Sequence, residues 1–375
     1  MSNNSGDLKM KRAVTLVLDA NYGSTGKGAI VGYIANNEQP DTVVTQWAPN
    51  SGHTTITKAG QKFIHIQLAN GIISPRLKRV LIGPGSLVNP EILASEIYAA
   101  QDRGFLINTE VLIHPHAGVV EERHREEEAG PMTKIGSTKK GCGAAQIQKI
   151  RRNPDDQNVA CRSMPKGPWK VVTVEEYNNA VDAGRIILGE GSQGFGLSMY
   201  HGFYPYTTYR DVTTAQHIAD MGLPLSWKFG AFRVVGTFRT YPIRVANRYD
   251  EDGKQVGYSG PCYDDQKEIS FEDINQATEY TTVTKLPRRI FTFSEKQAAD
   301  AIRQNGIAEA FLNFCNYCQT EEELLDIIKK LSKHTFVRYY GFGPSEKDII
   351  DVKEDSTGVA KKRVLEMYHA YKGDK

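Results

Sequence analysis

Short apolar runs that read as strands recur along this chain, with helical patterns between them. The runs are AVTLVLD (13–19), DTVVTQ (41–46), RVLIG (79–83), VLIH (111–114), RIILGEG (185–191), FRVVGTFRTYPIRV (232–245), FLNFC (311–315) and TFVRYYG (335–341). Several are apolar throughout, as strands are when both faces of a sheet are covered. PEILASEIYAAQD (90–102), SEKQAADAIRQN (294–305) and TEEELLDIIKKLSK (320–333) carry helical spacing. Ser294 with Gln297, and Thr320 with Glu323, are capping-box signatures. This alternation predicts an α/β fold: a central, mostly parallel β-sheet flanked by helices, with loop and helical elaborations. No linker or repeat divides the chain. Residues 13–375 therefore read as one large domain, after a polar leader at 1–12 expected to be disordered.

Composition narrows the function classes. The chain has 375 residues, 40% hydrophobic and 24% charged, as in a globular protein with a real core. A net charge of +2 argues against a nucleic-acid or membrane binder. No apolar stretch approaches the roughly 20 residues a membrane span requires, and the expected location is the cytoplasm. The five cysteines, at 142, 161, 262, 315 and 318, are odd in number and scattered, which reads as reduced. Cys315 and Cys318 form a lone C-x-x-C outside the setting of a redox motif. EERHREEE (121–128) reads as a solvated helix face, and residues 249–266 as a surface excursion.

Four stretches carry candidate chemistry. NYGSTGKG (21–28) joins the first strand to a helix, and its glycines and Lys27 are suited to cradling a phosphate. It departs from G-x-x-x-x-G-K-[ST], because Asn21 holds the first glycine position and Gly28 the hydroxyl position. A plain tight turn is the competing reading. APNSGHTTI (48–56) sets Asn50 and His53 around a glycine at a strand end, where a histidine is either a general acid or a turn-satisfying side chain. GEGSQG (189–194) matches G-x-G-x-x-G, but FGLSMYHGFYPYTT follows instead of a helix. Gln193 is better read as a side chain offered to a ligand. EYTTVTKLPRRIFTFS (279–294) places threonines before Arg288 and Arg289, which suits a carboxylate or phosphate, or else a solvated basic turn. His65, His114 and His116 show no metal-ligand spacing.

Taken in order, the glycine loop, NSGHT, IGSTKKG, GEGSQG, YPYTT and the threonine–arginine loop resemble adenylosuccinate synthetase, over about residues 13 to 345. The resemblance implies a P-loop-related single domain, working as a homodimer, that joins aspartate to C6 of a purine nucleotide with Mg2+ and a nucleoside triphosphate. It implies Ser24, Lys27 and His53 as the catalytic positions, with Lys27 on the transferring phosphate and His53 donating to O6. Asn21, Gly23, Ser24, Thr25, Gly26, Lys27 and Gly28 would line the phosphate loop. Asn50, Thr138 and Thr208 would hold the 5′-phosphate, with Arg152 reaching in from the other subunit. Gln193 would touch the bound nucleotide, and Asn316, Gly343 and Pro344 the donor nucleotide. Thr281, Thr282, Val283, Thr284 and Arg288 would form the aspartate loop. The Gly52 carbonyl, with Ser24, would hold magnesium.

Three departures bear on the substrate. Ser24 stands where the family has an aspartate that takes the purine proton. The loss makes room for the C2 amino group of guanine. Leu286 replaces an arginine near the ribose 2′-hydroxyl, which suits a deoxynucleotide. Phe314 and Asn316 replace the guanine-reading lysine and aspartate, so ATP or dATP is the expected donor. The chain thus resembles a phage branch of the family, which implies dGMP plus L-aspartate plus ATP giving N6-succino-2-amino-2′-deoxyadenylate, ADP and phosphate. Two other readings are an ordinary synthetase acting on IMP with GTP, and a non-catalytic purine nucleotide sensor. With Ser24 in place of a base, Asp19 or the substrate phosphates remain to take the proton.

Overall fold

In the computed structural model, which describes residues 13–129, 138–225, 232–281, 285–353 and 359–373, the run at 13–19 is the strand Ala13–Asp19 (β1) and lies inside a ten-stranded sheet. In chain order the other strands are β2 (Thr42–Thr45), β3 (Arg79–Ile82), β4 (Glu110–Ile113), β5 (Lys170–Val171), β6 (Ile186–Gly194), β7 (Phe232–Arg239), β8 (Glu309–Asn313), β9 (Phe336–Gly341) and β10 (Ile349–Asp351). In space β1 lies between β6 and β7. Beyond β6 follow β2, β3, β4 and β5, and beyond β7 follow β8, β9 and β10. The pairings are parallel except that of β9 with β10. The expected mostly parallel α/β sheet is present. The chain builds outward on one side of β1, returns as β6, and then builds the other side. The carboxyl end of β1 is therefore a topological switch point, where open α/β sheets leave a crevice for ligands.

The helix Lys27–Glu38 leaves that end of β1 and is buried along most of its length. Two of its glycines explain how it fits. A Cβ at Gly28 would lie 2.2 Å from the Thr54 carbonyl oxygen, and one at Gly32 would lie 2.2 Å from Thr55 Oγ1. The helix thus lies directly on the hairpin of His53–Ile56 and Lys62–His65, which brings His53 beside the glycine loop. Its outer apolar residues, Ile30, Val31 and Ile34, join a core with Val43, Val80 and Leu188 of the sheet.

The structure departs from the sequence reading in two places. The run 232–245 is two strands in two sheets. Pro242 has no N–H to continue a ladder, so β7 stops at Arg239 and Ile243–Arg244 pairs antiparallel with Arg289–Phe291. GEGSQG, in agreement with the sequence reading, is the end of β6 followed by a single 3₁₀ turn, Phe195–Leu197, so the strand–turn–helix setting of a dinucleotide motif is absent there. The glutamate-rich segment forms the helix Glu122–Glu128, but one of its glutamates is buried. The Glu128 carboxylate accepts from the N–H groups of Gly141 (2.7 Å), Gly143 (2.6 Å) and Ala144 (3.3 Å), at the start of the helix Cys142–Arg151. It caps the otherwise unpaired N–H groups of that helix. The leader at 1–12 and the residues Thr282, Val283 and Thr284 lie outside the described residues.

A glutamine at 128 keeps the size of the side chain but only one accepting oxygen and no charge. Glu128→Gln is expected to cost about 1–3 kcal/mol of stability, read as a lowered urea midpoint at unchanged slope. An unchanged midpoint would refute the capping role.

Candidate active site

The glycine loop is built around a carboxylate. Asp19, at 0% exposure, ends β1. Its Oδ1 accepts from the N–H groups of Asn21 (2.9 Å) and Gly23 (3.2 Å). Its Oδ2 accepts from Thr25 Oγ1 (2.5 Å), the Thr25 N–H (3.4 Å) and Lys27 Nζ (3.1 Å). Part of the loop therefore turns its donors inward. Asn21 and Thr25, both expected to line the loop, have their side chains buried in the protein. Asn21 bonds Gln297 Oε1 and the Arg239 N–H, and Thr25 bonds Asp19 and Thr237. The outward face is left to Gly23, Ser24 and Gly26, all at positive φ, and to the first N–H groups of the following helix. Those N–H groups have no partner within the helix and favour an anion. Glycine suits position 26, where φ is +87° and a Cβ would sit 2.1 Å from Asn313 Nδ2.

His53 is held from behind. Its Nδ1 lies 2.8 Å from Glu190 Oε1, and its ring packs 4.0 Å from that of Trp47, whose Nε1 donates to the Glu190 carbonyl. Glu190 is 1% exposed and also accepts from the backbone and side-chain nitrogens of Asn70. A carboxylate at Nδ1 assigns that nitrogen the proton and leaves Nε2 for a ligand. Burial lowers the His53 pKa, while the Glu190 contact opposes the shift. The ring is thus neutral at rest and becomes easier to protonate when an anion arrives beside it. Glu190 was not singled out from the sequence. A charged residue at the end of an apolar strand was the available signal, because a buried carboxylate requires a partner.

Gln193 adopts a left-handed conformation, and its Nε2 donates to Asn50 Oδ1 (2.9 Å), so these two predicted residues meet. Thr208 is half-buried, its N–H bonded to the Leu197 carbonyl, and Thr138 is half-buried ahead of the helix Cys142–Arg151. Arg152 is exposed at the end of that helix. Gly52 lies exposed one residue before His53.

On the other side, Arg288 Nη1 donates to Ser24 Oγ at 2.6 Å, across 264 residues of sequence. Ser24, named with Gly52 for the metal, here accepts from a guanidinium. Arg239 is fully buried beneath it. Arg239 Nη1 donates to the Ser24 carbonyl (3.3 Å), its guanidinium lies 3.6 Å over the Phe314 ring, and it pairs with Glu279. Arg239 and Glu279 were not anticipated. Thr281 is buried and its Oγ1 accepts from the Leu286 N–H, which closes the base of the threonine–arginine loop. Asn316 follows β8, and Gly343 and Pro344 follow β9. Burial raises both thiols of Cys315 and Cys318, against a redox role.

With this arrangement in view, the comparisons decide the family. The adenylosuccinate synthetase family model matches residues 16–156 and 166–329. The chain belongs to the adenylosuccinate synthetase family. Within that family it is 48% identical over 366 residues to the N6-succino-2-amino-2′-deoxyadenylate synthase of Salmonella phage PMBT28, covering 91% of this chain and 98% of the relative. Its identity to the adenylosuccinate synthetase of Pyrococcus horikoshii is 31% over 300 residues, 78% of this chain and 80% of the relative. The solved succinoaminodeoxyadenylate synthetase of cyanophage S-2L, bound to dGMP and dATP as an energy donor, superposes with a TM-score of 0.87 at 41% identity, covering 96% of this chain and 99% of that one.

Beneath Gln193 lies a polar layer. Gln46 Nε2 is 2.6 Å from His217 Nδ1, Ser192 Oγ donates to Gln46 Oε1, and Arg210 Nη2 donates to Ser192 Oγ. Burial, with Arg210 and Lys27 nearby, pushes the His217 pKa down to about 3. An unfolded histidine binds its proton near pH 6.5. Between those values the unfolded chain holds a proton that the folded one does not, so acidification favours unfolding by up to about 1.4 kcal/mol per pH unit. His217→Asn keeps an acceptor for Gln46 without the titration. Its stability is expected to fall less steeply than the parent's from pH 6.5 to 4, and parallel curves would count against this.

Proposed function

We propose that this protein is a carbon–nitrogen ligase that joins L-aspartate to C6 of dGMP with ATP or dATP. The products are N6-succino-2-amino-2′-deoxyadenylate, ADP or dADP, and phosphate, a step toward 2-aminoadenine in phage DNA. The observation that carries the reading is Ser24 at the phosphate loop, its small neutral side chain held by Arg288 at 2.6 Å. A hydroxyl has two lone pairs and one proton. With one lone pair on Arg288, the other can accept from the C2 amino group of guanine. The similarity to phage synthases, higher than to the archaeal adenylosuccinate synthetase, supports the same substrate.

The purine O6 is a poor leaving group, so it is first phosphorylated and then displaced by the amine of aspartate. Lys27 and the N–H groups from Gly26 to Gly28 are suited to the transferring phosphoryl group. Lys27 is poised beside that surface by Asp19. His53 Nε2, once protonated, would donate to O6, and Glu190 would balance the imidazolium. Asp19 already accepts five donors, which leaves the phosphate oxygens of the substrates to take the purine proton. Asn50, Gln193, Thr138 and Thr208 would hold the deoxynucleotide, with Arg152 supplied by a second subunit of a homodimer. Arg288 and the threonine loop would bind the carboxylates of aspartate.

Magnesium fits at the Gly52 carbonyl, because this hard cation takes oxygen ligands and keeps phosphates and waters as the rest. It would neutralise charge on the phosphates. Among the described residues no helix is long and apolar enough to cross a membrane, and the host cytoplasm is where these substrates meet.

Product mass after incubation with aspartate, Mg2+ and ATP tests the reading. Succinylated product is expected with dGMP and not with IMP. Product from IMP alone would return the protein to AMP synthesis, and none from either would leave a nucleotide sensor. A second outcome concerns Ser24→Asp. The new carboxylate would capture Arg288 and fill the space beside the purine. It should lower kcat/KM on dGMP by about tenfold or more, and parental activity would refute the role of Ser24.

A further inference from the structure

The helix Val359–Gly373 lies beyond the residues that the family model matches, and it touches two loops of the ligand crevice at once. β8 and β9 are parallel neighbours, so the turn after β8 and the loop after β9 emerge side by side at the carboxyl edge of the sheet. The first carries Phe314 and Asn316, and the second carries Gly343 and Pro344. β8 is also tied to the phosphate loop, because Asn313 Nδ2 donates to the Thr25 carbonyl (3.1 Å).

Two tyrosines one helical turn apart reach these loops. Tyr368 is buried, and its hydroxyl donates to the Cys318 carbonyl (3.2 Å), at the far end of the turn containing Asn316. Tyr371 donates to Asp348 Oδ1 (2.5 Å). The other oxygen of Asp348 accepts from the Ser345 N–H (2.8 Å), one residue past Pro344. The fit is close. A Cβ at Gly343 would lie 2.5 Å from Asp348 Oδ2 and 2.7 Å from the Tyr371 hydroxyl. The Tyr371 ring packs 5.9 Å from that of Phe342. Residues at i and i+3 share one helix face, so a single rigid element sets the spacing between both loops.

We propose that Tyr368 and Tyr371 are positioning residues of the donor-nucleotide pocket, holding the turn after β8 and the loop after β9 in register from behind. This rests on the proposed placement of the nucleoside triphosphate at Asn316, Gly343 and Pro344. Neither tyrosine touches the nucleotide. Each removes freedom that the loops would otherwise lose on binding, so loosening them weakens donor binding specifically.

Direct calorimetric titration of Mg-ATP, and separately of dGMP, into the parent, Tyr371→Phe and Tyr368→Phe tests this without any turnover. Each substitution removes one hydroxyl and keeps the ring. Each is expected to weaken ATP binding about fivefold, with dGMP affinity within about twofold and the melting temperature nearly unchanged. Because the two variants act on different loops, loss of one to misfolding leaves the other decisive. Parent-like ATP affinity in the folded variants, or an equal loss for ATP and dGMP, would overturn the positioning role. A parent that binds dGMP but not ATP would instead overturn the donor reading on which it rests.

Discussion

The buried carboxylate of Asp19 organises the phosphate loop. It is placed by the central strand and gathers two backbone N–H groups, a third at longer range, a hydroxyl and an ammonium within eight residues. A buried anion is tolerated only when its lone pairs are filled, and here the filling is done by the loop itself. Half of the loop is thereby fixed to the protein, and the remaining half is pushed out as a short anion-binding edge. The failure of the usual P-loop pattern follows physically. The carboxylate occupies backbone donors that a standard loop would give to phosphate, which leaves the first N–H groups of the following helix as the outward-facing donors.

From that edge the rest of the site is reached by close approaches between elements. Gly28 and Gly32 let the first helix lie against the hairpin bearing His53. Glu190 near the end of β6 then orients the imidazole, and the Trp47 ring and the Asn70 nitrogens close around the pair. Opposite, Arg239, stacked on the Phe314 ring, and Glu279 fasten the base of the threonine–arginine loop to β7, and Arg288 meets Ser24 above them. Two carboxylates therefore flank the glycine loop, Glu190 buried against His53 and Glu279 half-buried against Arg239.

The neutral serine at position 24 gains meaning from this setting. Beside Arg288 it accepts from the guanidinium at 2.6 Å without adding a second carboxylate to that of Glu279, and a Cβ on its neighbour Gly23 would meet nothing within 4 Å. The proposed contacts to the purine and to aspartate converge on this one side chain, because its oxygen is the one that Arg288 meets.

The sequence alone determined the local elements and the chemical parts. Apolar strands of the right length, helix caps, and the order of the motifs are short-range patterns, and residues 13–19 and 90–102 are a strand and a helix with those bounds. Ser24 as the unusual member of its loop was also legible. What only the tertiary structure decided is which polar groups are consumed by the protein and which face a ligand. Asn21 and Thr25 look like loop donors but point inward. Glu128 looks solvated but caps a helix 13 residues or more ahead. Glu190 and His53 are 137 residues apart and meet only because β6 passes beside β2. Periodicity records which face of an element is buried, whereas the partner of a buried charge is set by the order of strands in the sheet, and that order is a property of the whole chain.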